Sequence, residues 1–314
     1  LGFESLKTNT TASNNTAVGF SAMCKNTTGT ANVAVGRCAL FTNVSGGTNT
    51  AVGYNSLVLN TACCNTAVGY NSLTNNSSGD DNTAMGHSAL GANTTGTQNV
   101  AVGTFALDAN TIGCRSVAIG YNAMGANTDG INNTAVGRSA LATNTTGDDN
   151  IAIGYSAVQC STTASGNVGV GKESVFLTTT GANNTALGTC SLRANTTGEL
   201  NTAIGLNSMK SNTTASSNTA VGKDSLCVNQ TGGFTVAIGQ SALRNNTAAS
   251  NTAVGADAMF GNTSGANNTA MGHLAMNCNT TGASNVAIGK QALDANTTGG
   301  NNIAIGDNAL TSNT

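Results

Sequence analysis

Apolar residues recur along this chain at fixed places in a seventeen-residue unit of the form N-T-A-V-G-x-x-A-L-x-x-N-T-T-G-x-x. Its marker glycine falls nineteen times, from Gly2, Gly19 and Gly36 to Gly306; sixteen of the eighteen intervals are 17 residues, and two, Gly53 to Gly69 and Gly239 to Gly255, are 16. With that glycine as position 0, position 4 is apolar in all nineteen repeats, from Leu6 and Met23 to Leu310. Position 16 is Val, Ile, Met or Leu, and position 14 is Thr, Val or Ile. Residues two apart in an extended chain share a face. Positions 14 and 16 are therefore expected to line the interior together with position 4. Position 15 is Ala everywhere except Gly169, and position 3 is always Ala or Ser. Restriction to small side chains predicts either close approach of another backbone or a tight bend that excludes bulk; the first is favoured, so these two positions are expected to form a packed contact between chains.

The unit is too short for a helical repeat, and an uninterrupted short repeat specifies a stacked, quasi-one-dimensional fold. Local period-two patterning with Gly and Asn punctuation predicts short strands, two per turn. The expected fold is all-β: a parallel β-solenoid of about 18 turns, 17 residues per turn, running through residues 1-314 as a single continuous array. The two 16-residue turns lose a residue near the bend (Ala62-Cys63-Cys64, Ala248-Ala249-Ser250), where strand register need not shift. Position 7 is Asn in seventeen of nineteen repeats and position 13 in sixteen of eighteen. Stacking repeats the same amide at the strand spacing of about 4.8 Å, so each column can donate and accept along itself as a ladder. Asn also tolerates the left-handed bends that the glycines at positions 0 and 10 suit.

Charge marks the outside. All 24 Asp, Glu, Lys and Arg residues lie at positions 1, 2, 5, 6, 9, 11 and 12, which are read as solvated bends and rims. Three or four modest apolar side chains per turn are little burial for seventeen ordered residues. A second buried surface, and hence an oligomer, is expected. The net charge of -2 gives no electrostatic reason to expect nucleic acid as a partner, and no apolar run is long enough to span a bilayer. The chain opens inside a repeat, at Leu1-Gly2, and is expected to be a segment of a longer fibrous protein.

Candidate chemistry is sparse. His87 and His273 both sit at position 1, eleven turns apart, too far to share a site. The nine cysteines, Cys24, Cys38, Cys63, Cys64, Cys114, Cys160, Cys190, Cys227 and Cys278, are odd in number and lack C-x-x-C metal spacing. They read as incidental thiols or as links between chains. The stretch Gly166 to Glu173 resembles a phosphate loop but has Glu173 where a magnesium-binding Ser or Thr is needed. The pairs Asp80-Asp81 and Asp148-Asp149 lack the calcium-roll pattern. Sequons at Asn26, Asn93, Asn144, Asn195 and Asn296 accept glycans only if the position 7 column faces solvent. Tyr54, Tyr70, Tyr121 and Tyr155, with Phe3 and Phe20, share position 1 as an aromatic file able to meet sugars or partner surfaces. No catalytic residue, cofactor-binding residue or metal ligand is expected, and no enzyme.

The unit N-T-A-V-G-x-x-A-L resembles the head repeats of YadA-like trimeric autotransporter adhesins and similar repeats of phage-type tail fibres. Ser116-Val117-Ala118-Ile119-Gly120 matches that motif directly, and Asn285 to Gly289 and Asn150 to Gly154 come close. The family's unit is shorter; this one carries an added N-T-T-G segment. The resemblance implies a left-handed parallel β-roll, a homotrimer, and an extracellular, cell-surface or virion-surface location. The expected function is a structural fibre or adhesin segment, a rigid rod that spaces or mediates attachment to a host-surface or glycan receptor. The alternative is an ice-binding or carbohydrate-binding β-solenoid module, for which the Thr columns are the reason.

Overall fold

In a computed structural model, which describes residues 1–313, the chain is a parallel β-solenoid. Two compact units divide it, Leu1–Ser156 and a second beginning at Ala157. The first holds nine strands: β1 (Thr16–Val18), β2 (Val33–Val35), β3 (Thr50–Val52), β4 (Thr66–Val68), β5 (Thr83–Met85), β6 (Val100–Val102), β7 (Val117–Ile119), β8 (Thr134–Val136) and β9 (Ile151–Ile153). The second also holds nine, from β10 (Val168–Val170) through β14 (Val236–Ile238) and β15 (Thr252–Val254) to β18 (Ile303–Ile305). Within each unit every strand pairs in parallel with its successor, Ala opposite Ala except where Gly169 faces Ala186, as in Ala118↔Ala135 and Ala203↔Ala220. The short turns keep this register, pairing Thr50 with Thr66 and Val236 with Thr252. The missing residue lies between positions 7 and 10 rather than at the later bend. Asn60 reaches the carbonyl of Ala62 two residues on, and Asn246 that of Ala248, where other turns use a three-residue step.

Each turn holds one strand, not two. Positions 2, 4 and 12 have left-handed backbone, for example Phe105 at φ 59, Leu107 at φ 49 and Arg115 at φ 56. Such residues cannot lie in an extended segment. The far side of the coil is therefore a run of turns, still hydrogen-bonded to its neighbours through contacts such as Leu90 N–H to Ala106 O at 3.0 Å and Thr94 N–H to Thr111 O at 2.9 Å. A non-glycine residue in this region carries roughly 1–2 kcal/mol of strain, which at position 4 is opposed by complete burial of a large apolar side chain.

The expected inside and outside of the strand are reversed. Ala118, Ala135 and Ala152 at position 15 are fully buried, whereas Val18, Ile119 and Ile153 at position 16 are 38–40% exposed. Position 3 is also interior, with Ala106, Ala123 and Ala140 at zero exposure. Small residues are required there because the coil itself is narrow, not because a second chain approaches. At Gly169 an added Cβ would lie 2.6 Å from Val158 Cγ2 and 3.0 Å from Ser174 Oγ. Position 4 lines the interior as expected, with Leu90, Leu107, Met124 and Leu141 fully buried.

Candidate functional site

The Asn columns close the rest of the interior. At position 7, Asn93, Asn110, Asn127 and Asn144 each donate Nδ2–H to the Oδ1 of the Asn one turn earlier, at 2.7–2.9 Å. At position 13, Asn99 donates Nδ2–H to the carbonyl of Gly113 at 2.8 Å, and the same carbonyl accepts Asn110 Nδ2–H at 3.0 Å. One glycine oxygen therefore ties both ladders together. The glycine is needed for close approach: a Cβ on Gly113 would meet Asn110 Oδ1 and lie 2.6 Å from the carbonyl oxygen of Gly130. These Asn residues do not use the left-handed conformation, which belongs to positions 2, 4 and 12.

Buried amides that are fully paired are costly to remove. Asn110→Ala loses two donated bonds and leaves Asn127 Nδ2–H without its acceptor on Asn110 Oδ1. The ladder lapses at the first short turn, where Asn43 Oδ1 accepts nothing. Asn110→Ala is therefore expected to destabilise by about 2 kcal/mol, roughly 1 kcal/mol more than Asn43→Ala, in urea melts followed by circular dichroism. Equal losses would remove the ladder's energetic role. Because Asn26, Asn93, Asn144, Asn195 and Asn296 lie in this buried column, their amides are closed to glycosylation.

With the interior filled by Ala, Leu and Asn, what the coil offers to other molecules is its outer surface. The strand face presents two parallel columns. One is position 16 (Val102, Ile119, Val136, Ile153), and the other is position 14 (Thr83, Val100, Val117, Thr134). Just after the strand, position 1 carries a file of ring contacts in the first unit, interrupted at Arg37 and Arg138. Phe3 stacks on Phe20 at 5.6 Å, Tyr54 on Tyr70 at 5.3 Å and Tyr70 on His87 at 5.2 Å between centroids. Phe105, one residue later than the file, bridges His87 at 5.0 Å and Tyr121 at 6.2 Å edge-on. Arg37 lies over Phe20 at 5.8 Å and Tyr54 at 5.4 Å, and Arg138 over Tyr121 at 5.8 Å and Tyr155 at 5.9 Å. The sequence placed the rings in one file; that cations sit between them required the side-chain geometry.

The sequence matches no protein-family model and no curated protein.

Several of the remaining polar groups have structural partners. Asp80 accepts Cys63 N–H at 2.7 Å and Asp148 accepts Ile131 N–H at 2.8 Å, so these carboxylates fasten adjacent turns. Glu173, in the loop that resembles a phosphate site, pairs with Arg193 at 2.7 Å, and that hydrogen bond holds its carboxyl below the usual range. All nine cysteines are free thiols. Burial pushes Cys160, Cys227 and Cys278 upward, away from the reactive thiolate. His87 and His273 are exposed. A groove of about 370 Å³ in the first unit, lined by Asn71, Thr74, Ser88, Gly91 and Asp108, exists where Gly91 omits a side chain from its column. Burial raises the Asp108 carboxyl, opposed by His87, but no second acid lines the groove. Among the described residues no three His, Cys, Asp or Glu side chains cluster at metal-holding distance, and no helix is long and apolar enough to cross a membrane.

Proposed function

We propose that the chain is a structural fibre or adhesin segment. It is a rigid extracellular, cell-surface or virion-surface rod that spaces or mediates attachment, assembled as a homotrimer of left-handed coils and without catalysis. The observation that carries this reading is the outward double column of positions 14 and 16. Val, Ile, Leu and Met side chains of position 16 stay 37–44% exposed at Val35, Met85, Ile119, Leu187, Ile238 and Met271, spread through both units. A contiguous apolar surface repeated strand after strand marks an interaction face, and a second copy carries the same face at the same spacing. Association through it supplies the second buried surface that the thin interior calls for. The likeness of Ser116 to Gly120 to adhesin head repeats supports the same assignment.

Sedimentation equilibrium on the 314-residue chain is expected to return three times the 30.8 kDa chain mass. The triple variant Val102→Lys, Ile119→Lys, Val136→Lys should sediment as a monomer with an unaltered circular dichroism spectrum. A wild-type monomer at every concentration tested would remove the oligomer from the proposal. A second reading, ice binding, is supported by one observation. The Thr residues of position 14 stand on this outer face, consecutively at Thr50, Thr66 and Thr83 and again at Thr185, Thr202 and Thr219. Monomeric protein showing thermal hysteresis would favour it over the fibre.

A further inference from the structure

We propose that the position 1 file of the first unit receives an acidic polysaccharide, whose carboxylates or sulfates dock on cations held between aromatic rings. The file holds two aromatic–cation–aromatic triads, Phe20, Arg37, Tyr54 and Tyr121, Arg138, Tyr155, with the rings of Tyr70, His87 and Phe105 running between them. Apart from Phe105, which meets its neighbours edge-on, the rings turn their faces toward each other and toward the guanidinium groups, which disfavours stacking of a neutral sugar on them. What remains outward is the edge: ring hydrogens, Tyr hydroxyls and the N–H groups of each guanidinium. A guanidinium sandwiched between rings is pre-organised, and its planar fork matches carboxylate, sulfate or phosphate oxygens. Arg37 Nη1–H also donates to Tyr54 Oη at 3.3 Å, fixing its orientation further.

No carboxylate competes for these forks. Among the described residues neither Arg37 nor Arg138 forms an ion pair, and the first unit carries no acid at position 1 and only Glu4, paired with Lys7, at position 2. The second unit lacks the arrangement. Its position 1 file, Lys172, Thr189, Leu206, Lys223 and onward, has no Phe or Tyr, and Lys172 and Lys223 lie 3.9 Å from Glu173 and Asp224.

Spacing decides the class of polymer. Arg37 and Arg138 stand six turns apart, about 29 Å at the strand spacing. Duplex DNA carries a charge every ~1.7 Å, and single strands need free ring faces on which bases stack. Neither demand is met. A glycan needs no free ring face, and carboxylates or sulfates borne along it can reach preformed anion sites that stand far apart. The inference goes beyond the rod reading and is independent of the chain's oligomeric state.

The test is binding of the full chain to immobilised polygalacturonate, the same polymer methyl-esterified, dextran sulfate and poly(dT). Polygalacturonate or dextran sulfate should bind in a salt-sensitive manner, the stronger of the two naming the anionic group, and the esterified polymer should not. Arg37→Gln with Arg138→Gln should weaken binding at least about tenfold. Tyr54→Leu with Tyr155→Leu, which keeps every charge, should also weaken it, and Lys172→Gln with Lys223→Gln should not. Thr, Leu, Gln and Ala already occupy position 1 elsewhere, so these variants retain the fold, which melting curves verify. Equal binding of the esterified polymer, tighter binding of poly(dT), binding by neither anionic glycan, or indifference to the Arg pair would overturn the proposal.

Discussion

Aspartate in place of Ala135 is expected to melt the coil around β8, whereas aspartate in place of the adjacent Val136 leaves it folded. Ala135 has no exposed surface, and its methyl group points between Ala118 and Ala152, its partners on neighbouring strands. A carboxylate there is an unpaired charge in a space sized for a methyl group. Leaving such a charge buried costs on the order of 3–5 kcal/mol, and overpacking about 1–3 kcal/mol more. Val136 faces out from the same strand with partial exposure, so its replacement shifts the stability of the single coil by less than about 1 kcal/mol. Urea melts of the two variants, compared with wild type, measure the difference. The same pair separates fold from assembly, because Val136→Asp places a charge in the column proposed to join copies and should lower the sedimenting mass. Two variants of equal stability would refute the inside and outside assigned to β8.

That reversal shows what the sequence did and did not disclose. Period, the place of the one strand that forms, parallel stacking, the buried Leu at position 4, both Asn ladders and the outward charge positions are legible from the repeats, whereas the expected second strand per turn is absent. The facing of the strand was legible too, through a different residue. Asn at position 13 shares a strand face with Ala at position 15, and an amide that pairs in a ladder beneath the bend must point inward. Hydrophobicity points the other way, because Val and Ile outrank Ala, but the coil has no room for them. In a narrow solenoid the restricted alphabet marks the interior and the branched residues are left outside. The left-handed Leu residues were not legible, since position 4 reads as an ordinary apolar strand residue and nothing in its chemistry calls for φ near +50. The aromatic–cation triads were half visible: the file of rings is in the sequence, whereas their contact with Arg37 and Arg138 depends on side chains lying along the stacking direction.

Gly120→Ala is the strongest single test of the stacking geometry. Gly120 has φ +132, a backbone conformation that residues with a Cβ rarely adopt, and an added Cβ would lie 2.6 Å from the carbonyl oxygen and 2.7 Å from the carbonyl carbon of Gly137 in the next turn. That carbonyl cannot retreat, since it belongs to the next marker glycine, whose N–H is itself bonded to Ile119 O at 2.8 Å. Backbone strain of about 1–3 kcal/mol and a clash of similar size combine to a loss on the order of 4 kcal/mol. Stability in a stacked repeat is carried by neighbouring interfaces. The loss should therefore appear as fast amide hydrogen exchange at β7 and β8, with slower exchange retained farther along the first unit. Gly91→Ala provides the contrast. It has no positive φ, and its added Cβ meets first the Oδ1 of Asp108, the end of a side chain free to swing aside. That substitution is expected to be neutral within about 1 kcal/mol and to narrow the groove beside Asp108. If Gly120→Ala were equally neutral, the turns could not be stacked backbone against backbone at the marker glycine, and the narrow interior that places Ala inside and Val outside would lose its physical cause.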